Sequence, residues 1–304
     1  MPNRDALFGV IFALFAAVGF SAKAILIKLA YLDHVDAITL LALRMVFSVP
    51  FFVAAAIWAS RRHAEPLKRQ DWIAVLVLGL LGYYLSSFLD FLGLQYISAG
   101  LERLILFLYP TMTVILTALI YQRVIGRKVI AAMLLSYAGI LLVFLHDVNM
   151  SQGQGVLLGA ALVFASTLSY SAYLVGAGHA IARIGATRFT AYAMVVASVV
   201  SLLQFGLTHP LSALDLPLRV YELSVAMAIF STVLPVFLLS YAIRRIGSGN
   251  SSLIGSFGPV ATIVLAYVFL HEDISLLQIA GSSLVLAGVI IVSLNSGKTV
   301  KASA

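Results

Sequence analysis

The chain has 304 residues, of which 62% are apolar, 10% are charged and none is Cys. Soluble domains carry about 25% charged residues, so a water-facing surface is excluded and lipid must be the solvent. Lack of Cys excludes a disulfide frame, thiol chemistry and Cys-ligated metal.

A bilayer core of about 30 Å takes about 20 apolar residues per helix. In chain order, the qualifying segments are 6–30, 36–58, 72–95, 100–120, 128–146, 154–177, 187–207, 219–243, 249–270 and 276–295. The fold class predicted is an all-α membrane protein of ten transmembrane helices. The first segment lacks the basic start, short apolar core and small-residue cleavage site of a signal peptide, and is expected to be a retained helix. Connections are short, and the longest, around 59–71 and 207–219, are too small for a soluble catalytic domain.

The net charge of +7 would suit nucleic acid, but the positions of the cations give another reason for it. With the N-terminus inside, Arg4, Arg61, Arg62, Lys68, Arg69, Arg123, Arg127, Lys128, Arg183, Arg188, Arg244, Arg245, Lys298 and Lys301 all fall on the cytoplasmic side. That is 14 of the 19 Lys and Arg residues, whereas the opposite loops carry Asp33, Asp36, Asp147, Asp215, Glu272 and Asp273. Basic residues collect in cytoplasmic loops. Both termini are therefore expected to be cytoplasmic, with a bacterial inner membrane as location and no nucleic-acid partner.

An internal repeat follows. Tyr109-Pro110-Thr111-Met112-Thr113 aligns with Gly258-Pro259-Val260-Ala261-Thr262, and Ser136-Tyr137-Ala138-Gly139 with Val285-Leu286-Ala287-Gly288, both at an offset of 149. Phe20-Ser21-Ala22 aligns with Tyr170-Ser171-Ala172 at an offset of 150. Residues 1–149 and 150–304 are thus expected to be two five-helix repeats. Five is odd, so the second repeat enters the membrane inverted, an arrangement found in secondary transporters with a substrate site between the halves.

With Lys28 closing the first helix, Arg44 in the second and Pro110 and Pro259 in the fourth and ninth, the chain resembles the EamA-type drug/metabolite transporter family over its whole length. Within it, the chain looks like the bacterial amino-acid exporters of the YddG type. The resemblance implies efflux of small amphipathic compounds, amino acids among them, and no cofactor. The family commonly has Trp where Phe20 and Tyr170 stand here; its Glu after the proline-bearing helix is met by Glu272, but in the first repeat Gln122-Arg123 takes that place.

Ionisable residues inside lipid are expensive and usually face the protein interior. Lys23, Arg44, Asp90 and Glu102 are the candidates for a gate or charge pair, with Arg44–Asp90 a natural pairing by depth. Such a pair would be structural or would take part in transport. For Lys28, Glu102 and Arg103, nearer the helix ends, the competing reading is snorkelling to the headgroups. In the second repeat Lys23, Arg44 and Asp90 are matched by uncharged Tyr173, Met194 and Leu239.

Helical spacing then groups Tyr83, Ser87 and Asp90 in helix three, and Glu102, Tyr109 and Thr113 in helix four. It groups Ser166, Tyr170 and Tyr173 in helix six, and Ser252, Ser256 and Pro259 in helix nine. These stripes would suit a cavity for a zwitterion with an apolar side chain. The alternative is that small hydroxyl residues only let helices approach and hydrogen-bond. Pro110 and Pro259 are matched hinge candidates, whereas Pro50 and Pro235 read as simple kinks.

An enzyme is the competing class. There is no G-x-S-x-G and no phosphate-binding loop motif, and His271-Glu272 lacks the second His of a zinc-protease helix, so neither catalytic residues nor a metal are expected. A channel would need a filter or a charged ring that the sequence does not display.

Overall fold

The structure, a computed structural model, describes residues 4–62, 66–122, 124–150 and 155–299, excluding the side chains of residues 4, 62, 149–150, 248–249, 252–253 and 294–299. The predicted cations Arg4, Arg62, Arg123, Lys298 and Lys301 and the predicted stripe residue Ser252 therefore lie outside the described residues or side chains.

The chain folds into α1 (Arg4–Tyr31), α2 (Ala37–Arg62), α3 (Arg69–Gly93), α4 (Ala99–Ile120) and α5 (Arg127–Met150). There follow α6 (Val156–Ile184), α7 (Ala186–Thr208), α8 (Leu218–Gly247), α9 (Gly258–Leu270) and α10 (Leu276–Thr299). Among the described residues no strand occurs, and nine helices are long and apolar enough to cross a membrane; α9 is a shorter apolar helix. An apolar chain without water must satisfy its amides within each segment, and the helix does so. Asp36 starts α2 by accepting the amides of Ile38 and Thr39 at 2.8 and 3.0 Å.

Segment 249–270, expected as one helix, is two pieces. Gly247, at φ 81°, turns the chain after α8, and a helical stretch runs to Gly255 before α9 begins at Gly258. α4 is interrupted in the same way, its first part ending at Leu106 and its second beginning at Tyr109. Pro110 and Pro259, expected in mid-helix, therefore sit in the first turn after each break. A missing N–H is harmless there and a fixed φ is favourable.

α3 and α8 each contain a wider π turn, Leu80–Leu85 and Ile229–Val233, starting at residues 80 and 229, 149 apart. The π turn in α3 contains Gly82, where a Cβ would collide with the Tyr173 ring of α6.

Packing runs mainly across the midpoint of the chain. α1 lies against α8 and α9, while α6 lies against α3 and α4. Two further pairs are α2 with α7 and α5 with α10. α5 and α10 approach so closely at Gly139 and Gly281 that a Cβ on Gly139 would stand 2.5 Å from the Gly281 carbonyl oxygen.

Candidate functional site

The breaks of α4 and α9 meet the middles of α6 and α1. Ser21 Oγ shares its proton between the carbonyls of Ala17 at 2.8 Å and Gly258 at 2.9 Å, and Ser171 Oγ between those of Thr167 at 2.8 Å and Tyr109 at 3.2 Å. Each of the two carbonyls at the breaks also accepts a hydroxyl from its own helix: Thr262 at 3.2 Å for Gly258, and Thr113 at 2.6 Å for Tyr109. The two motifs repeated in the sequence therefore touch crosswise. Ser21 and Ser171 were missed as site residues although their repetition in Phe20-Ser21-Ala22 and Tyr170-Ser171-Ala172 was visible.

Toward the α1–α2 end of the bundle lies a buried charged set. Lys23 Nζ is 2.6 Å from Asp90 Oδ2 and 3.6 Å from Glu102 Oε1. Asp90 is 1% exposed and Glu102 is 0% exposed, so neither reaches a membrane surface. Snorkelling is thus corrected for Glu102: the start of α4 is covered by neighbours, and the carboxylate turns inward. The Arg44–Asp90 pairing is corrected as well. α1 brings Lys23 onto Asp90, and Arg44 reaches one turn short of it, donating to Ser87 Oγ at 3.0 Å with its guanidinium 5.0 Å above the Phe91 ring.

Arg103 also points inward. It lies against Gly258, where a Cβ would be 2.6 Å from its Nη2, and it is within electrostatic reach of Glu102, Tyr109, Asp90 and Tyr170. Its Nε is buried without a hydrogen-bond partner. Sequence reasoning left Arg103 out of the site because it stands near a helix start, where an exposed head is the ordinary outcome.

The tyrosines of α3, α4 and α6 form one connected group. Tyr83 and Tyr173 share a hydroxyl–hydroxyl hydrogen bond of 2.9 Å with ring centres 5.1 Å apart. Tyr173 and Tyr170 are 5.5 Å apart, and Tyr170 meets Tyr109 edge-on at 5.7 Å. The hydroxyls of the other stripe residues serve the helices: Ser166 donates to the Ser86 carbonyl at 2.7 Å, and Thr113 to Tyr109 as above. Ser256 lines a narrow crevice between the two breaks and α10, with room for about one water molecule, together with Phe107, Tyr109, Pro110 and Ser293. Tyr31 donates to the Phe91 carbonyl at 2.6 Å.

The start of α4 collects two further carboxylates. Asp147 of α5 accepts the Ser98 amide at 2.9 Å and its hydroxyl at 3.1 Å, while Glu272, just after α9, accepts the Ala99 amide at 3.3 Å. Negative groups are favoured at a helix N-terminus. Burial nevertheless pushes the Glu272 carboxyl above the usual range, with Lys28 and the Ala99 amide opposing the shift. Among the described residues no cluster of potential metal ligands occurs.

Long apolar helices whose ionic groups gather inside, rather than on the outer surface, define a multi-pass membrane protein. The chain belongs to the EamA-like transporter family, whose sequence profile matches residues 7–145 and again 157–294. It is 31% identical over 284 residues to the uncharacterized transporter YcbK of Bacillus subtilis, covering 91% of this chain and 90% of that one. It is 27% identical to YyaM of the same organism, another uncharacterized transporter, over 74% of each chain. An uncharacterized transporter of Archaeoglobus fulgidus is 27% identical over 84% of this chain and 88% of its own. One solved crystal structure, 19% identical, superposes with a TM-score of 0.64 over 95% of this chain and 98% of that one, which shows a shared fold. Family and relatives point to a membrane transporter rather than an enzyme.

Proposed function

We propose that this chain is a secondary transporter that exports small metabolites from the cytoplasm by alternating access. Amino acids, particularly aromatic or other apolar ones, are its substrates. In this reading ten helices cross a bacterial inner membrane as two inverted five-helix repeats, residues 1–149 and 150–304, with both termini cytoplasmic.

The observation that carries the reading is the crosswise hydrogen bonding at the two helix breaks, Ser21 to Gly258 and Ser171 to Tyr109. Broken helices that face each other across a repeat interface are where transporters place substrate, because backbone carbonyls freed there line a cavity rather than lipid. The matched π turns and the double match of the family profile support the repeat. Around the breaks, the site residues have distinct roles. Tyr83, Tyr109, Tyr170 and Tyr173 supply apolar faces with polar edges. Lys23, Asp90 and Glu102 supply charge, with Arg44 and Ser87 beside them, and Pro110 and Pro259 act as hinges. Thr113 and Ser256 hold or border the breaks, and Ser166 ties α6 to the Ser86 carbonyl of α3. The partners are therefore an amphipathic small molecule and the lipid bilayer.

The test is efflux from cells and uptake into vesicles that contain the purified protein, with a panel of amino acids. Saturable movement of phenylalanine, tyrosine or leucine, blocked by an excess of the same compound, is the expected result. Saturable movement of amphipathic drugs with no response to any amino acid would replace the substrate class. Chemical conversion of the solute would replace transport itself.

A further inference from the structure

We propose that Arg103 is the carboxylate receptor of this transport site, so that the compounds taken are organic carboxylates with an aromatic or other apolar body. The proposal rests on the transport reading above and adds to it a specific receptor group.

Adjacent helical residues project in directions about 100° apart. In α4, Glu102 therefore faces Lys23 and Asp90, while Arg103 faces α9 and the tyrosine group. The charges in this region are Lys23 and Lys28 of α1, Arg44 of α2, Asp90 of α3, Glu102 and Arg103 of α4, Asp147 of α5, and Glu272 just after α9. With all of them ionised, four cations face four anions. Lys23 lies against Asp90 and Glu102, at 2.6 and 3.6 Å, and Arg44 is held by Ser87 and the Phe91 ring, although its Nε too is buried without a hydrogen-bond partner. Arg103 is the cation of this set that lies against Gly258 of α9 and near the tyrosine group.

A guanidinium stays charged, and its planar fork matches a carboxylate in two parallel hydrogen bonds. The Nε of Arg103 is buried with no partner, although a buried donor left unpaired is costly. A substrate carboxylate would supply the missing acceptor. Position 258 is where the fork lies, and the absence of a side chain there makes the room. Tyr109 and Tyr170 are within electrostatic reach of Arg103, so the body of the same ligand would lie on their rings. Because Gly258 opens α9 at its break and Arg103 sits on the segment before the break in α4, the receptor joins the two hinge points.

Matched ligands test this without depending on any variant's folding. Binding of phenylalanine, phenylalaninamide, phenethylamine and 3-phenylpropionate to the purified full chain is measured by thermal stabilisation and by competition. Both carboxylates are expected to bind, and the amide and the amine to bind about thirtyfold more weakly or worse. Arg103→Gln should erase that difference, and Arg103→Lys should restore part of it. If 3-phenylpropionate binds but phenylalanine does not, the amino-acid reading fails while the receptor stands. If phenylalanine is carried but its amide binds equally well, the receptor is wrong and the transport reading stands. Binding by neither carboxylate overturns the proposal.

Discussion

Ser21 Oγ donates to the main-chain carbonyl of Gly258 across 237 residues of sequence, at 2.9 Å. Its counterpart in the other half, Ser171 to Tyr109, performs the same function in reverse. A net hydrogen bond contributes about 1 kcal/mol, and each carbonyl keeps a second hydroxyl, from Thr262 or Thr113. Ser21→Ala and Ser171→Ala are therefore each expected to cost about 0.5–1 kcal/mol of stability and to slow transport to a similar degree. Melting curves and initial transport rates check this. A silent Ser21→Ala beside a disabling Ser171→Ala would show that the two contacts are not equivalent devices.

The charged set gives a second prediction. Lys23→Ala leaves Asp90 and Glu102 buried without their cation and should destabilise the protein by about 3–5 kcal/mol. Neutralising the set together, as Lys23→Met, Asp90→Asn and Glu102→Gln, should recover most of that stability, because no uncompensated charge remains. Transport should not recover if the set has a role beyond packing. Expression level, melting temperature and transport rate of the single and triple variants decide it, and full transport by the triple variant would reduce the set to scaffolding.

How much of this was legible in the sequence depends on whether a feature was carried by letters or by contacts. The helices were legible, because an apolar run of membrane length dictates one. The breaks were half legible: Pro110 and Pro259 marked the places, but a proline does not tell whether the helix kinks around it or restarts before it. The partner of Asp90 was not legible. Lys23 and Arg44 both lie within apolar helices, and no periodicity in α1, α2 or α3 states which helix faces which. The burial of Glu102 and the inward turn of Arg103 were hidden for a related reason. They stand within the first five residues of α4, and what covers that start is Asp147 from α5 and Glu272 from beyond α9.

Topology is open to direct measurement, because the chain has no native Cys. Single Cys replacements at exposed Gln122 and Thr187 should react with an impermeant reagent only from the cytoplasmic side, and those at Leu32 and Ser212 only from outside. One inversion within either pair would overturn the ten-helix, inverted-repeat arrangement.

Glu272 predicts a pH dependence with a definite sign. Its folded carboxyl is held above the ordinary value of 4.5 by burial, so between that value and its raised one the folded protein binds more protons than the unfolded. The contribution of this residue to stability is present below 4.5 and is lost as pH rises through the folded value. Melting temperature should therefore fall over that window, and Glu272→Gln should flatten the fall while keeping the acceptor for the Ala99 amide. An unchanged pH profile in the variant would remove Glu272 as its cause.

The central claim is that the protein is a carrier whose site opens to one side at a time. Counterflow in proteoliposomes tests it most directly. Vesicles loaded with unlabelled phenylalanine, diluted into a trace of labelled phenylalanine, should accumulate label transiently above equilibrium, because inward and outward trips share one site. Label that rises monotonically to equilibrium, with no overshoot at any loading, would contradict a carrier and leave a passive pore.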